Sequence, residues 1–457
     1  MPVNDFKRHP LSWQPDPGLL SRPRYMSLAA LLETDITEGR LPPGTRLPPQ
    51  RELADWLDLN FTTVTRAYEL CREKGLVYGV TGRGTFVTHQ PAVDAGGADD
   101  VIDLGAVQGF PQVGADRIVA AARTVLSRDY VTQLFSYGER SGTPRHRSAG
   151  AYWLKRFGAE ASSAQIAVFA GVQSAIVTLL LTMFHPGDTL AVDEFTYANL
   201  IAASRLAHVK LAPVAGDQYG MLPSALDEVA AKCRPRGVFL MPTCANPTTI
   251  TLPTRRRNDL AKTIKRYGML VLEDDASLEP SSRGTMFALL PEQTFYLSGN
   301  TRHISPGLRI AFLAFPMQYR DRILAAQHHL TIKTNALDAE LMSELILDGL
   351  ADDILAQKIA LARRVNRVFQ SVFPENRRKA EDVPLFRTIP LPGTLRANGP
   401  DVERALRDRG VQVCHSDRFA VTQAPHRRFL RLSISSTAGE NEFRKGLNIV
   451  RDWSNMG

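Results

Sequence analysis

The stretch RLPPQRELADWLDLNFTTVTRAYELCREKGLVYGVTGRGTFV, residues 46–87, decides the fold of the N-terminal part of the chain. After a proline-rich connector it predicts a helix near Arg51–Leu59 and a second helix over Thr62–Lys74, which Gly75 ends. Two short strand-like runs then flank the turn Thr81–Gly84, which indicates a β-hairpin. The stretch therefore predicts two helices and a hairpin in that order.

Helical spacing predicts how these elements pack. Val64, Tyr68 and Cys71 recur at i, i+4 and i+7, so we expect them to face the core. A similar apolar repeat over residues 25–36 predicts a further helix upstream. Three helices followed by a hairpin with a basic tip are typical of a winged helix-turn-helix that binds double-stranded DNA. Glycine-rich turns and threonine caps are common by themselves, so it is their order that favours DNA binding.

Composition is typical of a globular chain with more than one domain. The 457 residues are 44% hydrophobic and 22% charged, and the net charge is +8. Residues 1–90 hold eleven basic and ten acidic residues, so the arrangement of residues, and not bulk charge, predicts DNA binding. No apolar run reaches the roughly 18 residues of a membrane span, and residues 1–25 lack a signal-peptide core. We therefore expect a cytoplasmic protein with no membrane partner.

The rest of the chain predicts an α/β architecture. Short apolar runs of four to six residues alternate with longer helical patterns, which indicates a largely parallel sheet. These runs lie at 166–169, 190–193, 238–241, 269–272, 295–297 and 310–315. The four cysteines show no CxxC spacing, so we expect no disulfide framework and no metal site.

Changes in composition predict the domain boundaries. Residues 90–103 are rich in Gly, Ala and Asp, which is typical of a linker. We predict an N-terminal tail (1–20), a DNA-binding domain (21–89), this linker, and a large domain (104–457) whose smaller C-terminal subdomain begins at about residue 340.

Two resemblances extend these predictions across nearly the whole chain. Residues 46–87 resemble the winged-helix module of GntR-type regulators, and the remainder resembles fold-type I aminotransferases, which use pyridoxal phosphate (PLP). The chain is thus identified as a member of the MocR subfamily of GntR regulators. The resemblance implies a winged helix-turn-helix joined to an aminotransferase-like domain, which has a mainly parallel sheet and a smaller α+β subdomain.

The resemblance to aminotransferases also implies a set of ligand residues. Asp274, in VLEDD, matches the aspartate that pairs with the PLP ring nitrogen, although acids after a strand can instead cap the next helix. Asn246, in CANPTT, matches the partner of the ring hydroxyl, and the turn AGVQSA matches the phosphate-binding helix start. The remaining matches are Gly171, Val172 and Gln173 for the phosphate, Tyr197 against the ring, Arg309 for the phosphate and Arg431 for a carboxylate.

The chain departs from the family where the cofactor would be attached. The family's catalytic lysine lies seven residues before the phosphate arginine, and that position is Arg302. A Schiff base needs an amine that can lose its proton, and a guanidinium does not. Three more departures surround it: Ala276 replaces a tyrosine, Gly299 replaces Ser/Thr, and Thr249 stands where glycine is frequent. We therefore expect no catalytic residue and no covalent PLP.

Four alternatives remain open for the ligand site. It binds PLP non-covalently, or a PLP–amino-acid adduct or pyridoxamine phosphate, or an unrelated carboxylate or phosphate metabolite, or it has become a purely structural dimerisation domain. Two rival functions are an aminotransferase-like enzyme with atypical chemistry and a regulator that binds DNA constitutively.

The resemblance to GntR regulators implies the DNA contacts. Arg51 and Thr63 would contact phosphates, and Arg83 lies on the wing. The candidates nearest the bases are Asn60, Phe61, Thr62 and Arg66. Phe61 replaces a frequent arginine; a phenyl ring can touch a thymine methyl but cannot bind guanine as arginine does. Alternatively, Phe61 packs inside the turn.

The resemblance also implies at least a homodimer, since fold-type I sites lie at a dimer interface. In the family the winged helix of one subunit often packs over the other subunit's large domain. The 14-residue linker could span such a domain-swapped crossing, since it extends to about 46 Å at roughly 3.3 Å per residue.

Overall fold

The computed structural model divides the chain into two units, residues 1–100 and residues 101–457. It describes residues 11–42, 44–80, 84–88, 101–275, 277–279, 283–376, 383–392, 398–422, 427–437 and 439–455, with the backbone only at Thr37 and Val80. Arg83 and Ala276 lie outside these ranges, as do residue 89 and residues 90–100 of the predicted linker.

The N-terminal unit has the predicted three helices and hairpin. Its elements are α1 (Arg24–Thr37), α2 (Gln50–Leu57), α3 (Phe61–Glu73), β1 (Val77–Val80) and β2 (Gly84–Val87). The two strands pair antiparallel, with Tyr78 opposite Phe86. Each predicted helix is confirmed to within two residues, the usual uncertainty of a helix end.

Local chemistry sets the turn between α2 and α3. Asp58 ends α2 in the left-handed conformation (φ 50°), and the Asn60 side chain caps α3 by accepting a hydrogen bond from the Thr62 N–H at 3.0 Å. Val64 and Tyr68 then point into the core with no exposed surface, as the helical spacing predicts.

The structure extends this unit into the predicted N-terminal tail. Trp13 is 5% exposed and packs in the same core as Leu28 and Tyr68. Its indole N–H donates to the Asp35 carboxylate at 2.7 Å, which satisfies the ring's polar atom. A tryptophan in a proline-rich stretch gives no periodic signal, so the sequence did not predict this contact.

The C-terminal unit is an α/β structure with a seven-stranded central sheet among its described residues. Its helices are α4 (Ala115–Leu126), α5 (Pro144–Arg156), α6 (Val172–Met183), α7 (Ala198–Leu206), α8 (Pro223–Cys233), α9 (Thr254–Arg266), α10 (Met286–Leu289), α11 (Asn300–His303), α12 (Arg320–Thr331), α13 (Ala336–Leu347), α14 (Leu350–Val372), α15 (Gly399–Arg407) and α16 (Glu440–Ser454). Its strands are β3 (Ile102–Asp103), β4 (Ile166–Phe169), β5 (Thr189–Asp193), β6 (Lys210–Val214), β7 (Gly216–Asp217), β8 (Gly220–Met221), β9 (Gly237–Leu240), β10 (Leu270–Asp275), β11 (Thr294–Gly299), β12 (Ala311–Ala314), β13 (Phe386–Pro390), β14 (Val411–Gln412), β15 (Cys414–His415) and β16 (Phe429–Ser433).

The central sheet has the order β4-β12-β11-β10-β9-β5-β6, and only β12 runs antiparallel to its neighbours. The largely parallel sheet predicted from the apolar runs is confirmed. Strands β4, β9, β10 and β12 are buried along their whole length, because helices cover both faces. The carboxyl ends of the parallel strands therefore meet at one edge, where ligands bind in open α/β sheets.

A smaller set of elements follows α14. The sheet β13-β16-β15 lies there together with α15 and α16, and β14 pairs in parallel with β3. Ile102 and Asp103, which the sequence assigned to the linker, thus belong to a strand, because the Ile102 side chain is buried in the core. The predicted linker is thereby shortened at its C-terminal end by these two residues. In the described ranges no helix is both long and apolar enough to cross a bilayer.

Candidate ligand-binding and DNA-binding sites

The predicted ligand residues of the C-terminal unit meet in one cavity of about 260 Å³. The residues that line it are Val107, Val172, Gln173, Tyr197, Asn246, Asp274, Asp275, Gly299, Thr301, Arg302, Arg309 and Arg431. Gly171, the one predicted ligand residue outside this lining, lies directly against the Arg309 guanidinium. The structure therefore brings together residues that lie far apart in the sequence, from Val107 to Arg431.

One end of the cavity has the form of an anion site. Helix α6 starts at Val172, so its first backbone N–H groups are available there. Gly171 precedes it at φ 83°, and a Cβ at this position would lie 2.7 Å from Arg309 Nη2. A glycine is therefore required both for the backbone conformation and for the close approach of the guanidinium.

Three consecutive acids at the end of β10 have different roles. Glu273 accepts the N–H groups of Met286 and Phe287, both at 2.9 Å, and so caps α10. Asp275 accepts the Tyr296 hydroxyl at 2.8 Å. Asp274 lines the cavity, and burial raises its pKa to about 6 although the Arg302 charge lowers it. The helix-capping alternative thus applies to Glu273, and Asp274 faces the ligand space.

Tyr197, Asn246 and Arg431 also line the cavity. The Tyr197 hydroxyl accepts a hydrogen bond from Asn199 at 3.1 Å, and burial raises the pKa of this tyrosine. Arg431 Nη1 donates to Asn246 Oδ1 at 3.2 Å. Arg431 is 7% exposed, and burial and the neighbouring charge of Arg302 lower its pKa. A ligand carboxylate here would meet a desolvated guanidinium.

Arg302 lies in the short helix α11, immediately after β11, and faces the cavity. Lys358 lies beside this turn but is not among the cavity-lining residues. Lys358 Nζ donates to the carbonyls of Gly109 at 2.6 Å and Arg302 at 3.4 Å, and burial lowers its pKa to about 8. Lys358 holds the backbone of the turn, while the guanidinium of Arg302 occupies the wall of the cavity.

Sequence reasoning missed three of the lining residues and Lys358. Asp275 and Thr301 are adjacent in the sequence to the predicted ligand residues Asp274 and Arg302, and this adjacency is the signal that could have identified them. Val107 comes from a loop without any periodic signal. Lys358 lies in α14, and its position in the sequence pattern does not distinguish it from other residues of that helix. Only its complete burial in the structure distinguishes it.

In the N-terminal unit, the predicted DNA residues that the structure describes lie in α3 or at its start, except Arg51, whose guanidinium lies beside Phe61. Phe61 is 43% exposed, so it does not pack inside the turn. The Arg51 guanidinium lies 5.8 Å from the centre of its ring, a cation–π arrangement. Phe61 therefore presents an apolar surface beside a cation at the N-terminal end of the recognition helix.

The polar candidates are partly engaged in the turn itself. Asn60 Oδ1 accepts hydrogen bonds from the backbone N–H and the hydroxyl of Thr62, both at 3.0 Å. Thr63 is half-buried, whereas Arg66 is exposed and its guanidinium lies 4.5 Å from the Tyr25 ring. The structure therefore gives Asn60 and Thr62 a capping role in addition to any contact with bases.

One basic residue near the wing was missed. Arg46 is exposed, and its Nε would lie 3.1 Å from a Cβ at Gly84, the first residue of β2. It lies in the proline-rich connector, where we expected no functional residue. Arg46 could have been identified because it is a basic residue close to the predicted wing.

Comparisons with known families agree with this division. Residues 24–87 match the family described as bacterial regulatory proteins of the gntR family. Residues 100–281 match aminotransferase class I and II. The fold and the two sites thus define a regulator class in which a helix-turn-helix is joined to an aminotransferase-like domain.

Individual relatives place the chain within that class. It is 31% identical over 460 residues to the HTH-type transcriptional regulator YdeF of Bacillus subtilis, with 99% of this chain and 98% of that protein covered. It is 25% identical to the probable rhizopine catabolism regulatory protein MocR of Rhizobium meliloti, over 77% of this chain and 76% of that protein. The chain belongs to the MocR-type HTH transcriptional regulators of the GntR family.

Solved structures match the larger unit. The α-aminoadipate aminotransferase LysN of Thermus thermophilus, in complex with N-(5′-phosphopyridoxyl)-L-leucine, superposes with a TM-score of 0.70 at 21% identity. The match covers 78% of this chain and 92% of that chain. The aminotransferase-like fold predicted from the sequence is thereby confirmed, and the protein is a DNA-binding transcriptional regulator.

Proposed function

We propose that this regulator responds to a small anionic ligand, which its aminotransferase-like unit holds without a Schiff base and without catalysis. The observation that carries the proposal is the composition of the cavity. Arg302, Arg309 and Arg431 all line it. By the resemblance to aminotransferases, Arg302 would stand where those enzymes need an amine. Such a cavity suits an anion, and a guanidinium cannot form the imine bond that attaches PLP.

The residues fit non-covalent PLP or a PLP adduct. Gly171 and Arg309 would hold the phosphate, Asp274 the ring nitrogen and Asn246 the ring hydroxyl. Gln173 Oε1 has no partner in the described parts of the chain, so an acceptor also remains for a ligand donor. When bound, PLP supplies an electron-withdrawing ring to amino-acid chemistry. An unrelated phosphate or carboxylate metabolite fits the same cations, and the experiments below separate these ligands.

The working unit we propose is a homodimer formed by the aminotransferase-like units. Exposed aromatic side chains support this: Phe135 and Tyr137 are 70% and 83% exposed on a loop of that unit. Large exposed aromatics mark interaction surfaces in soluble proteins. A dimer would carry two DNA-binding units, and a domain-swapped arrangement of them is part of the proposal.

For the DNA-binding unit we propose that Arg51, Thr63 and Arg83 contact the sugar-phosphate backbone. Phe61, Thr62, Arg66 and Asn60 would then lie nearest the bases of the operator. The exposed Phe61 ring supports an apolar contact, and the adjacent Arg51 guanidinium supports a phosphate contact on the same side of α3.

The test is to mix the purified protein with PLP, record the absorption spectrum and measure binding by calorimetry. We expect saturable binding without the band of a lysine Schiff base. The matched variant Arg302→Lys restores an amine at the same position, so it is expected to gain the band.

Two further results decide the interpretation. A band in the wild-type protein that Lys358→Met abolishes would show that Lys358 supplies the amine and would refute the non-covalent proposal. Absence of binding for PLP, pyridoxamine phosphate and inorganic phosphate would refute a PLP-type or phosphate ligand, and would leave a carboxylate metabolite or a structural dimerisation domain.

A further inference from the structure

The hairpin of the N-terminal unit has a third extended segment beside it. Three backbone hydrogen bonds of 2.8 to 2.9 Å join residues 44–47, in the proline-rich connector, to strand β2. Arg46 therefore stands directly opposite Phe86 in an antiparallel bridge. The backbone groups of these two residues do not bond to each other, and in such pairs the side chains lie closest together.

This pairing creates a row of three side chains on one face of the hairpin. Residues directly opposite each other in an antiparallel pair share a face, and Phe86 is also opposite Tyr78 of β1. The row Arg46, Phe86 and Tyr78 is here called the wing face. Its two rings stack with their centres 5.7 Å apart. Val77 and Val87 are buried on the other face, so the wing face points away from the core.

Gly84 determines where the Arg46 guanidinium lies. It has φ 113°, and a Cβ at this position would lie 3.1 Å from Arg46 Nε and 3.7 Å from Nη2. The glycine thus leaves the space that the guanidinium occupies. Because Gly84 also ends the predicted wing turn and directly follows Arg83 in the sequence, the Arg46 side chain extends towards the tip of the wing.

The charge of Arg46 is available to a ligand. Other cations of the same unit are paired with acids: Arg40 with Asp35 at 2.6 Å, and Lys74 with Glu33 at 2.5 Å. The exposed Arg46 guanidinium has no acidic partner in the ranges that the structure describes. The wing face itself holds no acidic side chain, so an approaching anion meets a cation and two rings without a like charge beside them.

We infer that Arg46 binds a phosphate of the DNA backbone, so that the wing contacts DNA through the wing face as well as through its tip. The inference rests on the proposed DNA-binding role of the N-terminal unit and adds a residue to it. A guanidinium and a phosphate form a charge-assisted hydrogen bond. A contact to a phosphate carries no sequence information, so Arg46 contributes affinity and the orientation of the wing, not the choice of bases.

The test is a fluorescence-anisotropy titration of the full-length protein with a labelled DNA duplex of random sequence, at several salt concentrations. A random duplex is sufficient because phosphate contacts do not depend on sequence. Each neutralised phosphate contributes about 0.9 to the slope of the logarithm of the binding constant against the logarithm of the salt concentration. We expect Arg46→Gln to reduce this slope by about 0.9, which corresponds to roughly eightfold weaker binding at about 0.1 M salt relative to 1 M.

Matched variants separate a contact from a general effect of charge. Arg46→Lys keeps the positive charge and should keep the salt dependence. Arg72→Gln makes the same change of charge at an exposed arginine on the opposite side of the hairpin, where Arg72 Nη2 lies 3.4 Å from a Cβ built at Gly79. This variant should bind DNA as the wild type does.

A second measurement applies where Arg46→Gln does not fold, as judged by circular dichroism. Phenylglyoxal modifies accessible arginines, and mass spectrometry locates the modified positions. In the wild-type protein, the duplex should protect Arg46 from modification and leave Arg72 reactive. Equal reactivity of Arg46 with and without DNA would contradict the contact.

The outcomes distinguish this inference from the function on which it rests. If the wild-type protein does not bind the duplex, the DNA-binding proposal fails and this inference fails with it. If Arg51→Gln reduces the salt dependence and Arg46→Gln does not, DNA binding stands and only the role of Arg46 is refuted. An equal reduction in Arg46→Gln and Arg72→Gln would show an effect of net charge alone and would also refute the contact.

Discussion

Replacing Asp274 by asparagine tests whether this carboxyl belongs to the ligand cavity. Asp274 is 6% exposed, and burial raises its pKa from 3.8 to about 6. A carboxyl with a raised pKa binds its proton more tightly in the folded than in the unfolded protein. The ionised form therefore penalises folding above the folded pKa, and the penalty vanishes below the unfolded pKa. A difference of about 2 in pKa corresponds to roughly 3 kcal/mol.

We therefore expect Asp274→Asn to raise the free energy of unfolding by up to about 3 kcal/mol near pH 8, and by little near pH 4. The assay is urea unfolding of the ligand-free protein, followed by circular dichroism at several pH values between these limits. Asp348→Asn, which changes an exposed aspartate, is the control and should alter stability at no pH. If Asp274→Asn raises the free energy of unfolding equally at every pH, or lowers it near pH 8, then Asp274 does not carry an unfavourably buried charge.

The same variant separates the candidate ligands. A PLP ring nitrogen bonded to Asp274 loses its charged partner in Asp274→Asn, so PLP affinity should fall by roughly tenfold or more. An anion without a ring nitrogen, such as inorganic phosphate, should bind more tightly because a like charge has been removed. Calorimetry with both compounds distinguishes a site for a pyridine ring from a site for anions in general.

Three further predictions address the remaining candidates. Gly171→Ala places a methyl group 2.7 Å from the present position of Arg309 Nη2, so the guanidinium must move. Calorimetry should then show roughly tenfold weaker binding of phosphate-bearing ligands. Unchanged affinity would exclude a phosphate subsite at this position. Phe61→Ala removes the surface beneath Arg51 and should weaken operator binding by about two- to fivefold, the size of an exposed cation–π contact, whereas Phe61→Tyr should retain it. Arg83→Ala should weaken binding to all DNA sequences alike. In fluorescence-anisotropy titrations, the dependence of the binding constant on salt concentration should fall by the equivalent of about one phosphate contact. An unchanged salt dependence would contradict a contact between the wing and a phosphate.

The fold could be predicted where periodicity and burial agree. Val64, Tyr68 and Cys71 follow a helical spacing and are fully buried, and the apolar runs became strands of the central sheet. Strand β6 was missed because KLAPV contains Pro213, which cannot donate to a neighbouring strand. The structure explains its presence, since β6 is the edge strand of the sheet and needs a partner on one side only.

The candidate site could be predicted only in part, since motifs identify residues and not the segments that cover them. Asn246, Asp274 and Arg309 lie in motifs with a known spacing, and they line one cavity. The stretch 101–110, from which Val107 reaches the cavity, has no such motif. Gly105 acts through its backbone carbonyl, and the sequence shows nothing about which side chain reaches that carbonyl. Contacts between a backbone atom and a distant side chain depend on the tertiary fold.

Backbone strain supports a ligand-binding role over a purely structural one. Four non-glycine residues with positive φ lie in the cavity lining or within three residues of it: Phe110 (54°), Cys244 (50°), Thr249 (58°) and Arg309 (45°). Each such conformation costs roughly 1 kcal/mol or more relative to an ordinary backbone, and Thr249 adopts it where the family frequently has glycine. A unit that served only to dimerise would gain nothing from keeping this strain around an internal cavity. Such strain is expected if the cavity holds its cations in position for a ligand.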